Sequence, residues 1–248
     1  LTIGSGFLQY PGGLGVLTQS LANHVSVSTS TSVDRVRKAG NGVCVEWQNK
    51  AKRFDAALIA VPGEQVASIA PDLPSRMKQL LTEDLCYSPL YLAHFGLSDI
   101  PDEPCGIVFV DADDSNGLVS ISLEHNLRIS AAPEGKGLLT VLFSPAWTQQ
   151  HATKNDAELL DMMQQQVERV MPGVRGNITM RHLDRWQYGA QRAWPGYCAQ
   201  VSELRSLMDP NDPIQLTGDF FGSSSTNACV LEAQRAARTI MHQLQSQR

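Results

Sequence analysis

The stretch Gln215-Leu216-Thr217-Gly218-Asp219-Phe220-Phe221 carries the reading of the whole chain, together with Gly222-Ser223-Ser224-Ser225 and the helical run from Ala228 to Ala237 that follow it. A short apolar run stops at a glycine, passes through an aspartate and a loop of small residues, and enters a helix. Glycine and serine at such a point let backbone N–H groups approach a ligand closely. The start of a helix adds a partial positive charge there, because its first N–H groups have no partner inside the helix. The pattern predicts a strand at about 214–217 and a helix at about 225–245.

Working outward, the β-type runs 25–29, 33–37 and 43–47 come early in the chain, with Asn41-Gly42 between the last two. Asn-Gly suits a type I′ hairpin turn, which needs positive φ at both central residues. Phe54-Asp55-Ala56-Ala57-Leu58-Ile59-Ala60-Val61 then reads as one buried strand stopped by Pro62-Gly63. Upstream, Pro11-Gly12-Gly13 is a glycine turn, and Leu14, Leu17 and Leu21 give the short helix after it one apolar face. Gly4-Ser5-Gly6 lacks a third glycine and a βαβ setting and reads as a loop, so the G-x-G-x-x-G fingerprint is not found. The sequence opens on Leu1, without an initiator methionine, in the run Leu1 to Phe7, which suggests a fragment.

Between these ends, helical patterns fall near 63–70 and 74–84, and a strand-rich stretch covers 90–97, 106–110, 118–124 and 137–143. The clearest amphipathic helix is 155–171: Leu159, Leu160, Met163, Val167 and Val170 form its stripe, Asn155 or Asp156 caps it, and Pro172-Gly173 ends it. A strand near 178–183 leads into an aromatic loop, Trp186-Gln187-Tyr188-Gly189 through Trp194-Pro195-Gly196-Tyr197. The fold class expected is α+β (mixed α/β), with the strand-rich middle inserted between two flanking pieces.

Composition narrows the function. The chain has 248 residues, 42% apolar and 18% charged, and a net charge of -5. That is ordinary for a globular protein and unsuited to a nucleic-acid partner. No apolar run approaches the ~20 residues a transmembrane helix needs. Cys44, Cys86, Cys105, Cys198 and Cys229 are odd in number and never spaced as C-x-x-C, so neither a disulfide framework nor a metal site is expected. With no basic-then-apolar leader, the location expected is cytoplasmic. The sequon Asn177-Ile178-Thr179 is taken as coincidence. His94, among Leu92, Phe95 and Leu97, reads as a satisfied histidine, and His125 beside Glu124 as a solvated surface pair. No nucleophile elbow, P-loop or metal-spaced cluster supplies a catalytic group, and the catalytic residues stay unassigned.

In their order, the glycine turn, the Val33 strand with its β-meander, the strand ending Ala60-Val61-Pro62, the aromatic segment and the Gly218-Asp219 terminus resemble the flavin-dependent oxidoreductases of the amine oxidase / protoporphyrinogen oxidase / phytoene desaturase superfamily. The resemblance spans nearly the whole chain and lacks the N-terminal dinucleotide motif. It implies FAD as cofactor and a partial, Rossmann-like FAD-binding domain at 1–84 and 191–248. It implies an antiparallel-sheet substrate-binding domain with covering helices at 85–190.

For cofactor binding, the resemblance implies Val33 at the adenine, Ala60 and Pro62 beside the flavin, Trp186 near the ring, and Gly218 and Asp219 at the ribityl–diphosphate chain. Asn227 and Ala228 are implied at the helix start that faces the flavin pyrimidine. Tyr188, Trp194 and Tyr197 are implied at the substrate, an apolar or amine small molecule. Two departures stand out: Glu232-Ala233 occupies a place where the family usually has Ser-Gly, and Trp-Pro-Gly-Tyr alters the usual aromatic spacing.

The activity implied is hydride transfer from a substrate C–H bond to flavin N5, and the isolated chain is expected to be inactive. Two alternatives stay open: a non-catalytic or degenerate relative acting as a binding module, and an FAD-dependent carotenoid-type desaturase or isomerase.

Overall fold

The computed structural model describes residues 10, 12–111, 116–127, 131–222 and 224–246. The Leu1 to Phe7 run, Gly4-Ser5-Gly6, Pro11 and Ser223 lie outside them. In chain order the elements are α1 (Gly15–Ala22), β1 (Arg35–Ala39), β2 (Gly42–Trp47), β3 (Lys50–Phe54), β4 (Ala57–Ile59), α2 (Gly63–Ile69), α3 (Ser75–Gln79) and β5 (Tyr87–Leu97). There follow β6 (Ile107–Phe109), β7 (Leu118–Leu123), α4 (Glu124–Leu127), β8 (Gly137–Phe143), α5 (Pro145–Gln150), α6 (Asp156–Val170), β9 (Ile178–Gln191), α7 (Tyr197–Ser206), β10 (Ile214–Leu216) and α8 (Thr226–Ser246). This is the mixed α/β class, with antiparallel sheet, that the sequence predicts.

The chain divides into two compact units, and the divisions fall within β5 and β9. The first holds the described residues of Leu1–Val27 together with Pro89–Gln187; the second holds Ser28–Ser88 and Tyr188–Arg248 as far as they are described.

In the first unit a five-stranded sheet runs in the order β6-β7-β8-β5-β9. Alternate residues of β5 (Tyr91, Ala93, Phe95, Leu97) and of β8 (Leu139, Val141, Phe143) are buried, the period-two signature of a sheet with one covered face. Helix α6 covers it through Leu159, Leu160, Met163 and Val167, all buried, with Val170 packed at the margin. The helix starts where its cap chemistry dictates. Asn155 Oδ1 accepts the Glu158 N–H at 3.0 Å and Glu158 Oε2 accepts the Asn155 N–H at 3.1 Å, a capping box. Helix α1 forms as predicted, after positive-φ turns at Gly12 and Gly13, but of its apolar face only Leu17 is half-buried, while Leu14 and Leu21 are exposed.

In the second unit β1, β2 and β3 form an antiparallel meander, and β4 pairs in parallel with β10. Its core gathers Val36, Val43, Ile59, Val66, Leu80, Leu81, Leu204, Ile214, Leu216 and Phe220.

Several expectations are corrected here. Residues 25–29 form no strand: Val25 and Val27 are exposed, and alternation alone cannot hold a strand without a paired neighbour. Strand β1 opens at Arg35, so Val33 lies just before it, half-buried against the core. The first hairpin turns at Gly40-Asn41 rather than Asn41-Gly42, since Ala39 pairs with Gly42. Gly42 starts β2 because a Cβ there would lie 2.4 Å from Phe54 O. The turn with positive φ at both central residues is the second one, Gln48-Asn49. Residues 54–61 are not one strand, as Phe54 closes β3 and β4 begins at Ala57. The aromatic loop is mostly strand: β9 continues to Gln191, which places Trp186 and Tyr188 on it, and α7 follows where no helix was expected. His125 is no solvated pair, for its Nδ1 accepts the Leu138 N–H at 3.1 Å.

Candidate cofactor site

The site is built at the ends of two parallel strands in the second unit. β4 and β10 pair Ala57 with Ile214, Leu58 with Gln215 and Ile59 with Leu216. The Ala57 N–H donates to Pro213 O at 2.8 Å and the Thr217 N–H to Ile59 O at 2.9 Å. Matching register brings the two segments beyond the strands, Ala60-Val61-Pro62-Gly63 and Thr217-Gly218-Asp219, out on one edge. The carboxyl edge of a parallel pair is where open α/β sheets receive ligands.

Two glycines on that edge are closely packed. At Gly218 a Cβ would come within 2.5 Å of Phe220 Cε1, so the ring packs directly on the backbone. At Gly63, the first residue of α2, a Cβ would lie 3.1 Å from Leu81 O. Pro62 sets the helix start, and its carbonyl accepts the N–H groups of Gln65 at 2.9 Å and Val66 at 3.0 Å. Thr217 is buried, and its Oγ1 has no hydrogen-bond partner among the described residues. A glycine with no room for a side chain suits a ligand that approaches the backbone closely.

Asp219 opens a single 3₁₀ turn, Asp219–Phe221. Its Oδ1 accepts a hydrogen bond from the hydroxyl of Tyr87, a residue distant in sequence and buried. Burial, and then the Asp219 carboxylate, push the Tyr87 phenol far above its ordinary range. The Tyr87 ring meets Tyr188 edge-on, with centroids 5.8 Å apart and planes at 82°. The hydroxyl of Tyr197 shares its proton between Phe220 O at 3.0 Å and Gln191 Oε1 at 3.2 Å. Burial, with the Asp219 charge second, holds the Tyr197 phenol up at about 12.

The loop after Asp219 is riveted from below. Phe220 and Phe221 are buried with ring centroids 4.7 Å apart. Arg205 of α7 lies over the Phe221 ring, and its Nη2 donates to Phe221 O at 3.0 Å and to Glu232 Oε1 at 2.8 Å. Glu232, the departure from Ser-Gly noted in the sequence, thus faces Arg205. Asn227 is exposed in the first turn of α8, while the Ala228 N–H donates to Ser225 Oγ at 3.2 Å.

Val33, Ala60, Pro62, Tyr188, Trp194, Tyr197, Gly218, Asp219, Asn227 and Ala228 therefore share the second unit, although the sequence scatters them. Trp186 belongs to the first unit and is exposed on β9. Trp194 is exposed in the turn that leads through Gly196, at φ 97°, into α7. Sequence reasoning missed Tyr87, Gln191 and Arg205. Nothing in the local sequence marks them, because their partners are distant in the chain.

The sequence matches the family described as flavin containing amine oxidoreductase over residues 2–241, nearly its whole length.

The chain belongs to this family.

The family is flavin-containing by description, in keeping with FAD as the cofactor. The chain is 21% identical over 232 residues to coproporphyrinogen III oxidase of Bacillus subtilis (strain 168), covering 90% of this chain and 48% of the relative. Cyclohexylamine oxidase from Brevibacterium oxydans IH-35A shares the fold at a TM-score of 0.73 and 18% identity, over 94% of this chain and 53% of its own. Putrescine oxidase bound to putrescine does so at 0.72 and 16%, over 93% and 53%. The chain spans about half the length of the curated relative and of these two structures.

Proposed function

We propose that this chain carries the second unit as the remainder of an FAD-binding domain and the first unit as the substrate-binding domain of an oxidoreductase. When bound, FAD supplies the acceptor for a hydride taken from a substrate C–H bond, at flavin N5. The single observation that carries the reading is the parallel register of β4 and β10, which puts Pro62-Gly63 and Gly218-Asp219 on one edge.

The chain's residues then divide the work. Val33 offers its backbone to the adenine. Ala60 and Pro62 line the edge beside the flavin, and Gly218 admits the cofactor chain to the backbone. Asp219, with one oxygen held by Tyr87, presents the other to ribityl hydroxyls. Asn227, in the first turn of a 21-residue helix, adds the positive end of a macrodipole beside the pyrimidine. Ser225 Oγ caps the helix by accepting the Ala228 N–H, which fixes Ala228 beside Asn227 at the helix start. Tyr197, implied at the substrate, has a buried ring and a hydroxyl engaged with Phe220 O, so it also holds the loop. Trp186, Tyr188 and Trp194 stay assigned to the flavin and substrate side.

In the first unit, the sheet face away from α6 carries Leu92, Leu142, Met180 and Trp186, with His94 hydrogen-bonded to Thr140 and Asp184. Apolar side chains beside a histidine–aspartate group support an apolar or amine small molecule as substrate. Among the described residues no helix is long and apolar enough to cross a membrane. Five free cysteines support the cytoplasm as the compartment.

The test is to purify the full-length protein, record its visible absorbance, and add an amine or a porphyrinogen without oxygen. Bound flavin that bleaches supports the reading. A colourless protein that takes up no added FAD sinks it.

A further inference from the structure

Resting on that reading, we infer that Tyr87 is a positioning residue for the cofactor site: its buried hydroxyl fixes the Asp219 carboxylate so that one oxygen is spent on the protein and the other is presented to a polyol ligand. Asp219 sits on a three-residue turn, and a carboxylate there has two free side-chain torsions. Among the described residues Tyr87 is the donor that holds it, and no Lys or Arg pairs with it. A half-buried carboxylate without a cation repels phosphate and accepts hydrogen bonds from neutral hydroxyls. Its orientation therefore decides whether a ribityl chain is gripped.

The phenol is itself immobilised. Tyr87 is 6% exposed, and its ring is held edge-on by Tyr188. Both neighbours are tied down: the Arg192 N–H donates to the Cys86 carbonyl at 3.1 Å, and Arg192 Nε donates to the Ser88 side-chain Oγ at 2.9 Å. A rigid donor costs little ordering when the ligand arrives, which is what preorganisation requires. Tyr87 touches the carboxylate rather than the ligand, so it acts through Asp219.

The experiment is a double-mutant cycle on FAD affinity, read by flavin fluorescence on the full-length apoprotein, with thermal unfolding as a check on the fold. Tyr87→Phe is expected to weaken FAD about five- to tenfold and Asp219→Ala about tenfold, the scale of one ordinary net hydrogen bond. The double variant should bind no more weakly than Asp219→Ala alone, because the phenol has nothing left to position. A merely structural tyrosine would give losses that multiply, and that result overturns the inference while leaving the FAD reading intact. An unsubstituted protein that binds no FAD overturns both. If Tyr87→Phe does not fold, Asp219→Glu decides: it keeps the charge but moves it by one methylene. An affinity near that of Asp219→Ala supports positioning, whereas unchanged affinity overturns it.

Discussion

Arg205 and Glu232 form a part-buried ion pair, and the same Nη2 that bonds Glu232 also holds the carbonyl of Phe221. One guanidinium thereby ties α7, the turn after Asp219 and the flank of α8. Removing Glu232 leaves that guanidinium half-buried and short of a partner. Glu232→Ala is therefore expected to destabilise by ~1–3 kcal/mol, less than a fully buried pair would because both side chains keep some solvent. Glu232→Gln should recover part of the loss, and urea unfolding of the pair of variants measures it.

Gly218→Ala tests close packing rather than backbone strain, since the φ of Gly218, 161°, is extended. The added methyl meets the Phe220 ring. A destabilisation of about 1–3 kcal/mol is expected from overpacking, together with weaker FAD binding, because the ring must shift toward the ligand edge. Unchanged affinity measured by fluorescence titration would show that the cofactor does not pass over this glycine.

The two buried phenols predict a definite alkaline behaviour. Their folded pKa values are raised, Tyr197 to about 12, above the ~10 of an unfolded tyrosine. The unfolded chain loses those protons first as pH rises. Their contribution is thus complete below pH ~10 and is lost as pH climbs from ~10 toward the folded value. Urea midpoints measured between about pH 9 and 11 should fall for the unsubstituted protein and fall less steeply for Tyr197→Phe.

On α6, Leu159→Ala and Met163→Ala each remove a side chain with no solvent exposure and should cost ~2–5 kcal/mol. Asn155→Ala breaks the capping box and should cost about 1 kcal/mol. Val170→Ala, at the margin of the same stripe, is expected to cost less than either core change. Thermal or urea unfolding that ranked Val170 first would place the buried face elsewhere.

Asn177 illustrates how a motif is overruled by its surroundings. Its Nδ2 donates to Asp99 O at 3.1 Å, and its Oδ1 accepts the Asp99 N–H at 3.0 Å and the Ser98 hydroxyl. A glycan on that nitrogen would break the clamp between β5 and β9. Mass spectrometry after expression in a glycosylating host should find the site unmodified.

The features legible in the sequence were those set by residues within a turn or two of each other. The stripe of α6 follows from spacing at 3.6 residues per turn, and its start from Asn155 and Glu158 three positions apart. The order strand, Gly218, Asp219, small loop, helix was likewise written in contiguous residues. Tertiary pairing decided the rest. The first hairpin turned one residue early because β3 comes too close to Gly42 for a side chain there, and β9 ran on through Trp186 and Tyr188 because the sheet continued to give it a neighbour. Tyr87 was brought to Asp219, and Arg205 to Glu232 and Phe221, by the packing of elements far apart in the chain. Local propensity and capping depend on neighbours in sequence, whereas register, buried hydrogen bonds and the donor to a carboxylate depend on which distant surfaces bury each other, and only the folded chain sets those.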